Sequence, residues 1–107
     1  MPREKFKTLS EQMFYVLLCL QEERCGTDIT ATLKELTGER VRIGSGTLYD
    51  LLDLFAKEEL IRETKVEGRR RSYILTEKGR EMLDKECARL TAQLADYHMI
   101  FGKEEGR

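Results

Sequence analysis

The sequence predicts a mainly α fold with a small β-hairpin: a winged helix-turn-helix followed by a long C-terminal dimerisation helix. Three observations predict it. Leu48, Leu51, Leu52 and Phe55 recur at helical spacing behind a polar start at Ser45. Residues alternate from Ile61 to Val66, break at Glu67-Gly68, and alternate again to Leu75, the pattern of a hairpin with glycine at the turn. Leu83, Cys87, Leu90, Leu94, Tyr97 and Phe101 are spaced 4, 3, 4, 3 and 4, a continuous heptad seam.

A chain of 107 residues fits one domain with a modest core. No apolar run approaches the roughly 20 residues that cross a bilayer. The first eight residues are short and charged, without an apolar leader core. A cytoplasmic protein with no membrane partner is therefore expected. Three irregularly spaced cysteines fit reduced thiols. The net charge of −1 argues mildly against nucleic acid, but its distribution matters more. Residues 62–71 hold five basic side chains against two acidic ones. Arg3, Lys5 and Lys7 add to them, so one face can be basic on a slightly acidic chain.

Taken in order, residues 1–8 are expected as a basic N-terminal arm, with Lys5 able to touch a phosphate backbone. The first helix should span about residues 9–21. Thr8-x-x-Glu11 has the form of a capping box, and Ser10 competes as cap. Met13, Phe14, Leu17, Leu18 and Gln21 form its inward stripe; Tyr15 and Cys19 lie off it. A turn through Gly26 leads to a second helix capped by Thr27 or Asp28. Ile29, Leu33 and Leu36 should face inward, and Gly38 should stop the helix. Val41 and Ile43 suggest a short strand against the wing, with Arg40 and Arg42 pointing to solvent or phosphate.

The recognition helix should run over residues 45–59, with Ser45 as N-cap. Thr47, Tyr49, Asp50 and Asp53 lie off its apolar stripe. Its first two turns are the part of this motif that reaches base edges. Thr47 suits a phosphate or base, and Tyr49 a phosphate; packing against the first helix is the alternative for Tyr49. Asp50 would be repelled by phosphate and is useful only as an acceptor from cytosine. Arg69, Arg70 and Arg71 form the wing tip. Alternation sends Arg69 and Arg71 to one side and Arg70 to the other. Their planar forks suit phosphate or a narrow minor groove. Tyr73 and Leu75, or Ile74 in a slipped register, anchor the wing.

Thr76 should cap a last helix over residues 77–101, ended by Gly102, with residues 102–107 as a frayed tail. A helix of about 25 residues is about 37 Å long, more than a small domain needs for its own core. The surplus face, Leu83, Cys87, Leu90, Leu94, Tyr97 and Phe101, should pair with a second copy. The helix-turn-helix domain is thus residues 9–76. Candidate DNA contacts are Ser45, Thr47, Tyr49, Arg69, Arg70, Arg71, Lys5 and Arg42.

The ordered set Gly46-Thr47-Leu48-Tyr49, Leu60-Ile61, Gly68-Arg69-Arg70-Arg71-Ser72-Tyr73 and Leu75-Thr76-Glu77-Lys78-Gly79-Arg80 resembles the signature of PadR-type transcriptional regulators, over about residues 10–100. Arg24-Cys25-Gly26-Thr27 departs from the usual Pro before and Tyr after this glycine, and Asp50 replaces a frequent Pro. The resemblance implies a repressor of the smaller group with a single C-terminal helix. It also implies a small aromatic or amphipathic effector between the C-terminal and first helices. Tyr15, Cys19, Leu94, Tyr97 and His98 are the candidates for that pocket.

Catalysis finds little support. The single histidine, His98, lacks nearby paired carboxylates, and Cys19-x5-Cys25 is not a zinc spacing. Gly44-Ser45-Gly46-Thr47 lacks the lysine and length of a phosphate loop. No enzyme, cofactor or metal is expected. Cys87, in the seam, could pair with its copy across a two-fold axis. The expected partners are double-stranded DNA and a second copy of the chain. The rival reading is a winged-helix protein-interaction module without DNA binding.

Overall fold

Apolar side chains from three helices and a small sheet enclose one core, and a fourth helix projects from it. The computed structural model describes residues 8–105. The order is α1 (Glu11–Cys19), β1 (Arg24–Cys25), α2 (Gly26–Thr37), α3 (Ser45–Lys57), β2 (Ile61–Glu67), β3 (Arg70–Leu75) and α4 (Glu77–Glu105). This is the expected winged helix-turn-helix with a long last helix, plus a third strand. The sheet order is β1-β3-β2, antiparallel throughout.

Helix α1 starts at Ser10, whose hydroxyl accepts from the Met13 amide at 3.1 Å. Ser10 therefore wins over Thr8 as cap. Val16, Leu17, Cys19 and Leu20 are all buried, whereas Leu18 and Gln21, expected inward, are exposed. The stripe is rotated because this short helix is surrounded on most sides rather than on one.

The turn before α2 holds β1, which pairs Arg24 with Tyr73 and Cys25 with Ser72. The third strand is thus not Val41 and Ile43. The Val41 amide donates to the Thr37 hydroxyl at 3.3 Å, which takes the donor a ladder would need. Cys25, not Thr27 or Asp28, stands at the N-cap of α2. Asp28 completes the cap in reverse, its carboxylate accepting from the Cys25 amide at 3.5 Å and the Cys25 thiol at 3.3 Å. Gly38, in the left-handed region at φ 61°, ends α2 as expected. Leu36 is exposed, a correction to the expected stripe, while Ile29 and Leu33 are buried.

Helix α3 buries Leu48, Leu52 and Phe55. Its N-cap is Gly44, and Ser45 is the first helical residue, so Ser45 does not cap. Strands β2 and β3 close on Glu67 opposite Arg70 around Gly68-Arg69. Gly68 takes φ 64°, a conformation that a side chain disfavours. A register shift between Glu63 and Lys65 displaces Thr64. The Thr64 hydroxyl donates to the Glu23 carboxylate and so ties the base of the wing to the turn before β1. Tyr73 is buried, and Ile74 and Leu75 are half-buried.

Thr76 caps α4 as expected: its hydroxyl accepts from the Gly79 amide at 3.1 Å and donates to the Glu59 carbonyl at 2.7 Å. Near its start α4 buries Leu83 and Glu86 in the domain; Leu90 and every following residue through Phe101 are exposed. The helix passes Gly102 and continues to Glu105. Gly102 does not take the left-handed conformation that would form a stop, and a glycine inside a helix costs only about 1 kcal/mol. At 29 residues α4 is about 43 Å long. Among the described residues no helix is long and apolar enough to cross a membrane.

Candidate nucleic-acid interface

The fold brings three elements to one shallow concavity. Its lining comprises Cys25, Gly26 and Thr27 at the start of α2, Tyr49 in the second turn of α3, and Glu67, Arg69, Arg70 and Arg71 of the wing. Tyr49 is half exposed, and its phenol lies over Gly26. It therefore packs on the start of α2, not on α1. Glycine at 26 makes this approach possible, since a Cβ there would stand 2.5 Å from the Tyr49 hydroxyl oxygen.

All three wing arginines reach this concavity. Arg69 sits in the turn, and Arg70 and Arg71 are consecutive residues at the start of β3. The three differ in their partners. Arg71 Nε lies 3.1 Å from the Glu63 carboxylate across the hairpin. The Arg71 guanidinium also opposes the upward push that burial gives the Tyr73 phenol. Among the described residues neither the Arg69 nor the Arg70 side chain is in a hydrogen bond or close ion pair. Arg70 adds to the field that favours the Asp28 carboxylate. Bonds from Cys25 hold that carboxylate below its usual range, and Arg70 and Arg24 assist.

The start of α3 is open. Ser45, Gly46 and Thr47 are exposed, and no side chain caps the helix. Amides of a first turn left without a side-chain acceptor are suited to an anion. Asp50 and Asp53 are exposed on the same helix and oppose such an anion. Arg42 lies before α3, its guanidinium 3.1 Å from the Glu39 carboxylate. Lys5 lies outside the described residues.

The match to known families decides the identity. The family model described as the transcriptional regulator PadR-like family matches residues 16–85. The chain belongs to the PadR-like family of transcriptional regulators. It is similar in structure to a PadR-like transcription factor from Bacteroides fragilis, at 29% identity and a TM-score of 0.71, covering 83% of this chain and 88% of that one. It is also similar to Bacillus subtilis PadR, solved in complex with operator DNA, at 25% identity and a TM-score of 0.61. That match covers 69% of this chain and 46% of the other. A curated relative, an uncharacterized 37.1 kDa protein in transposon TN4556 of Streptomyces fradiae, is 31% identical over 91 residues. The match covers 82% of this chain, which spans about a quarter of that relative (26%).

The remaining residues singled out in this PadR-like chain are scattered. Of the seam, Leu83 is 5% exposed and is taken by its own domain's core. Cys87, Leu90, Leu94, Tyr97 and Phe101 are exposed. Of the five effector residues, Tyr15 and Cys19 lie on α1, and Tyr97 and His98 meet edge to face on α4, with ring centroids 5.3 Å apart. Cys19 is buried, and burial pushes its thiol up. Tyr15 lines a cleft between α1 and α4 with Phe14, Glu86, Arg89 and Leu90, and its hydroxyl accepts from Arg40 at 3.2 Å. Leu94, Tyr97 and His98 lie farther along α4. Among the described residues no group of three or more His, Cys, Asp or Glu could hold a metal.

Sequence reasoning missed Cys25, Gly26 and Thr27 as parts of the concavity, and Glu63 as the partner of Arg71. The wing residues were findable from the arginine run at a hairpin turn. The start of α2 was not, because its place beside the wing is set by the pairing of β1 with β3.

Proposed function

We propose that this PadR-like protein is a cytoplasmic, sequence-specific DNA-binding repressor that acts as a homodimer and responds to a small effector. One observation carries the DNA reading. Tyr49 of α3, the start of α2 and three arginines of the wing line the same concavity. Phosphate contacts from Arg69 and Arg70 would supply affinity, and the exposed start of α3, with Ser45, Thr47 and Tyr49, would face base edges. Arg71, held by Glu63, would present a fixed fork. The operator complex of Bacillus subtilis PadR supports the same use of the fold.

The dimer is supported by the outer half of α4. Leu90, Leu94, Tyr97 and Phe101 are 39%, 58%, 52% and 48% exposed, too much aromatic and aliphatic surface for a helix facing only water. Two such helices around a two-fold axis would bury this face and fix the separation of the two heads. An effector lodged where Tyr15 of one copy approaches Leu94, Tyr97 and His98 of the other would alter that separation. Repression and effector control follow the family resemblance.

The rival, an interaction module without DNA binding, is favoured by the net charge of −1 and by exposed Asp50 and Asp53 on α3. Selection of bound sites from random duplex separates the two. The regulator yields two-fold related half-sites with centres about one helical turn, ~10 bp, apart. A pool with no enriched sequence contradicts it.

A further inference from the structure

A second concavity lies away from the wing, between α2 and the segment 39–43 that leads into α3. Its volume is about 270 Å³. Ile29, Leu33, Val41 and Leu48 form an apolar floor. Lys34 and Arg42 stand at its rim, and between them lies the carboxylate of Glu39, 3.5 Å from Lys34 Nζ and 3.1 Å from Arg42 Nη2. Glu39 makes these pairs from a left-handed backbone at φ 67°, which a residue with a side chain adopts at a cost.

We propose that this cleft binds a small monocarboxylate with a short hydrocarbon body. Glu39 already demonstrates the polar half of the recognition: a carboxylate bridging an ammonium and a guanidinium over an apolar cavity. A ligand carboxylate would take the same two partners and place its hydrocarbon on the floor, which Glu39 itself leaves open. A ligand carboxylate keeps both exposed cations paired while Glu39 is released to water, a modest gain that neutral and cationic molecules of the same shape do not have. Leu48 belongs to α3 and Ile43 precedes its cap, so an occupied cleft would brace the start of α3 against α2. That regulatory consequence rests on the DNA-binding reading; the site does not.

The test is an amide chemical-shift titration of the full chain, without DNA, using hexanoate and its neutral counterpart hexanol. Hexanoate is expected to shift amides of residues 29–34 and 39–48 saturably, and hexanol to bind more weakly. Glu39→Gln removes the internal competitor. It is expected to tighten hexanoate by roughly two- to fivefold, the scale of an exposed ion pair, and to leave hexanol unchanged. Lys34→Gln is expected to weaken hexanoate by a similar factor. Scattered unsaturable shifts, equal affinity for the two probes, or a Glu39→Gln chain that binds hexanoate no better would each overturn the proposal. A chain that binds hexanoate but no duplex DNA would overturn the regulatory reading and leave the site standing.

Discussion

The phenol of Tyr49 rests on the backbone of Gly26, so close that a Cβ on residue 26 would stand 2.5 Å from its hydroxyl oxygen and 2.9 Å from Cζ. This contact joins the first residue of α2 to the second turn of α3. Gly26→Ala would displace the tip of one half-exposed ring rather than any backbone, so the fold should survive. Tyr49 should swing away and DNA affinity should fall by about fivefold, the scale of one lost hydrogen bond. Fluorescence anisotropy on a selected duplex, with Tyr49→Phe beside it, checks this; unchanged affinity in both would remove Tyr49 from the interface.

The joint between wing and α4 is stricter. A Cβ on Gly79 would lie 2.2 Å from the Leu60 carbonyl oxygen and 2.7 Å from Leu75 Cδ1. Leu60 is 1% exposed, and its carbonyl also accepts from the Thr76 amide at 3.0 Å, so it has little room to retreat. Alanine improves helix propensity by about 1 kcal/mol, but overpacking against backbone costs about 1–3 kcal/mol and should win. Urea denaturation of Gly79→Ala should show a net loss of stability. A gain would mean that this joint is looser than the geometry implies.

Acid should weaken the seating of α4. Glu86 is 4% exposed, and its carboxyl is held below the usual range, mainly by the bond from Arg89 and despite burial. A carboxylate with a depressed folded pKa stabilises the fold above its unfolded value, near 4.3, and loses that contribution as pH falls through the folded value. The urea midpoint should therefore fall below about pH 4.5 more steeply in the native chain than in Glu86→Gln. Parallel acid limbs would show that this pair contributes nothing.

Local chemistry made much of this fold legible. Gly38 and Thr76 act where their residue types act in isolation, and the Gly68 turn needs only its own φ. Features set by distant chain were hidden. β1 is two residues that become a strand only because β3 passes beside them. The phase of α1 is not legible in the sequence because Val16, Leu17, Cys19 and Leu20 are buried on several sides, and an enclosed helix has little amphipathic period. Cys25 was not recognisable as a cap because its partner is the Asp28 carboxylate, reaching back from inside the helix. At the interface, the arginine run announced itself, but the ion pair of Arg71 with Glu63 depends on hairpin register.

The dimer has a direct test in the exposed half of α4. Leu94 is 58% exposed, so Leu94→Glu should leave the domain folded, with unchanged helical circular dichroism. In sedimentation velocity the native chain should run as a dimer and the variant as a monomer, with weakened binding to a two-half-site duplex. A native chain that stays monomeric at high concentration would refute the pairing.

The most direct measurement is the salt dependence of DNA affinity for the native chain and for a chain with Arg69→Ala and Arg70→Ala. These two wing cations lack close partners within the described residues and reach the concavity that Tyr49 also lines. If both neutralise phosphates, the slope of log affinity against log salt should be steep in the native chain and shallower by about 1.8 in the variant. Equal slopes would mean that the wing does not meet DNA, and the reading of this concavity as a nucleic-acid interface would be wrong.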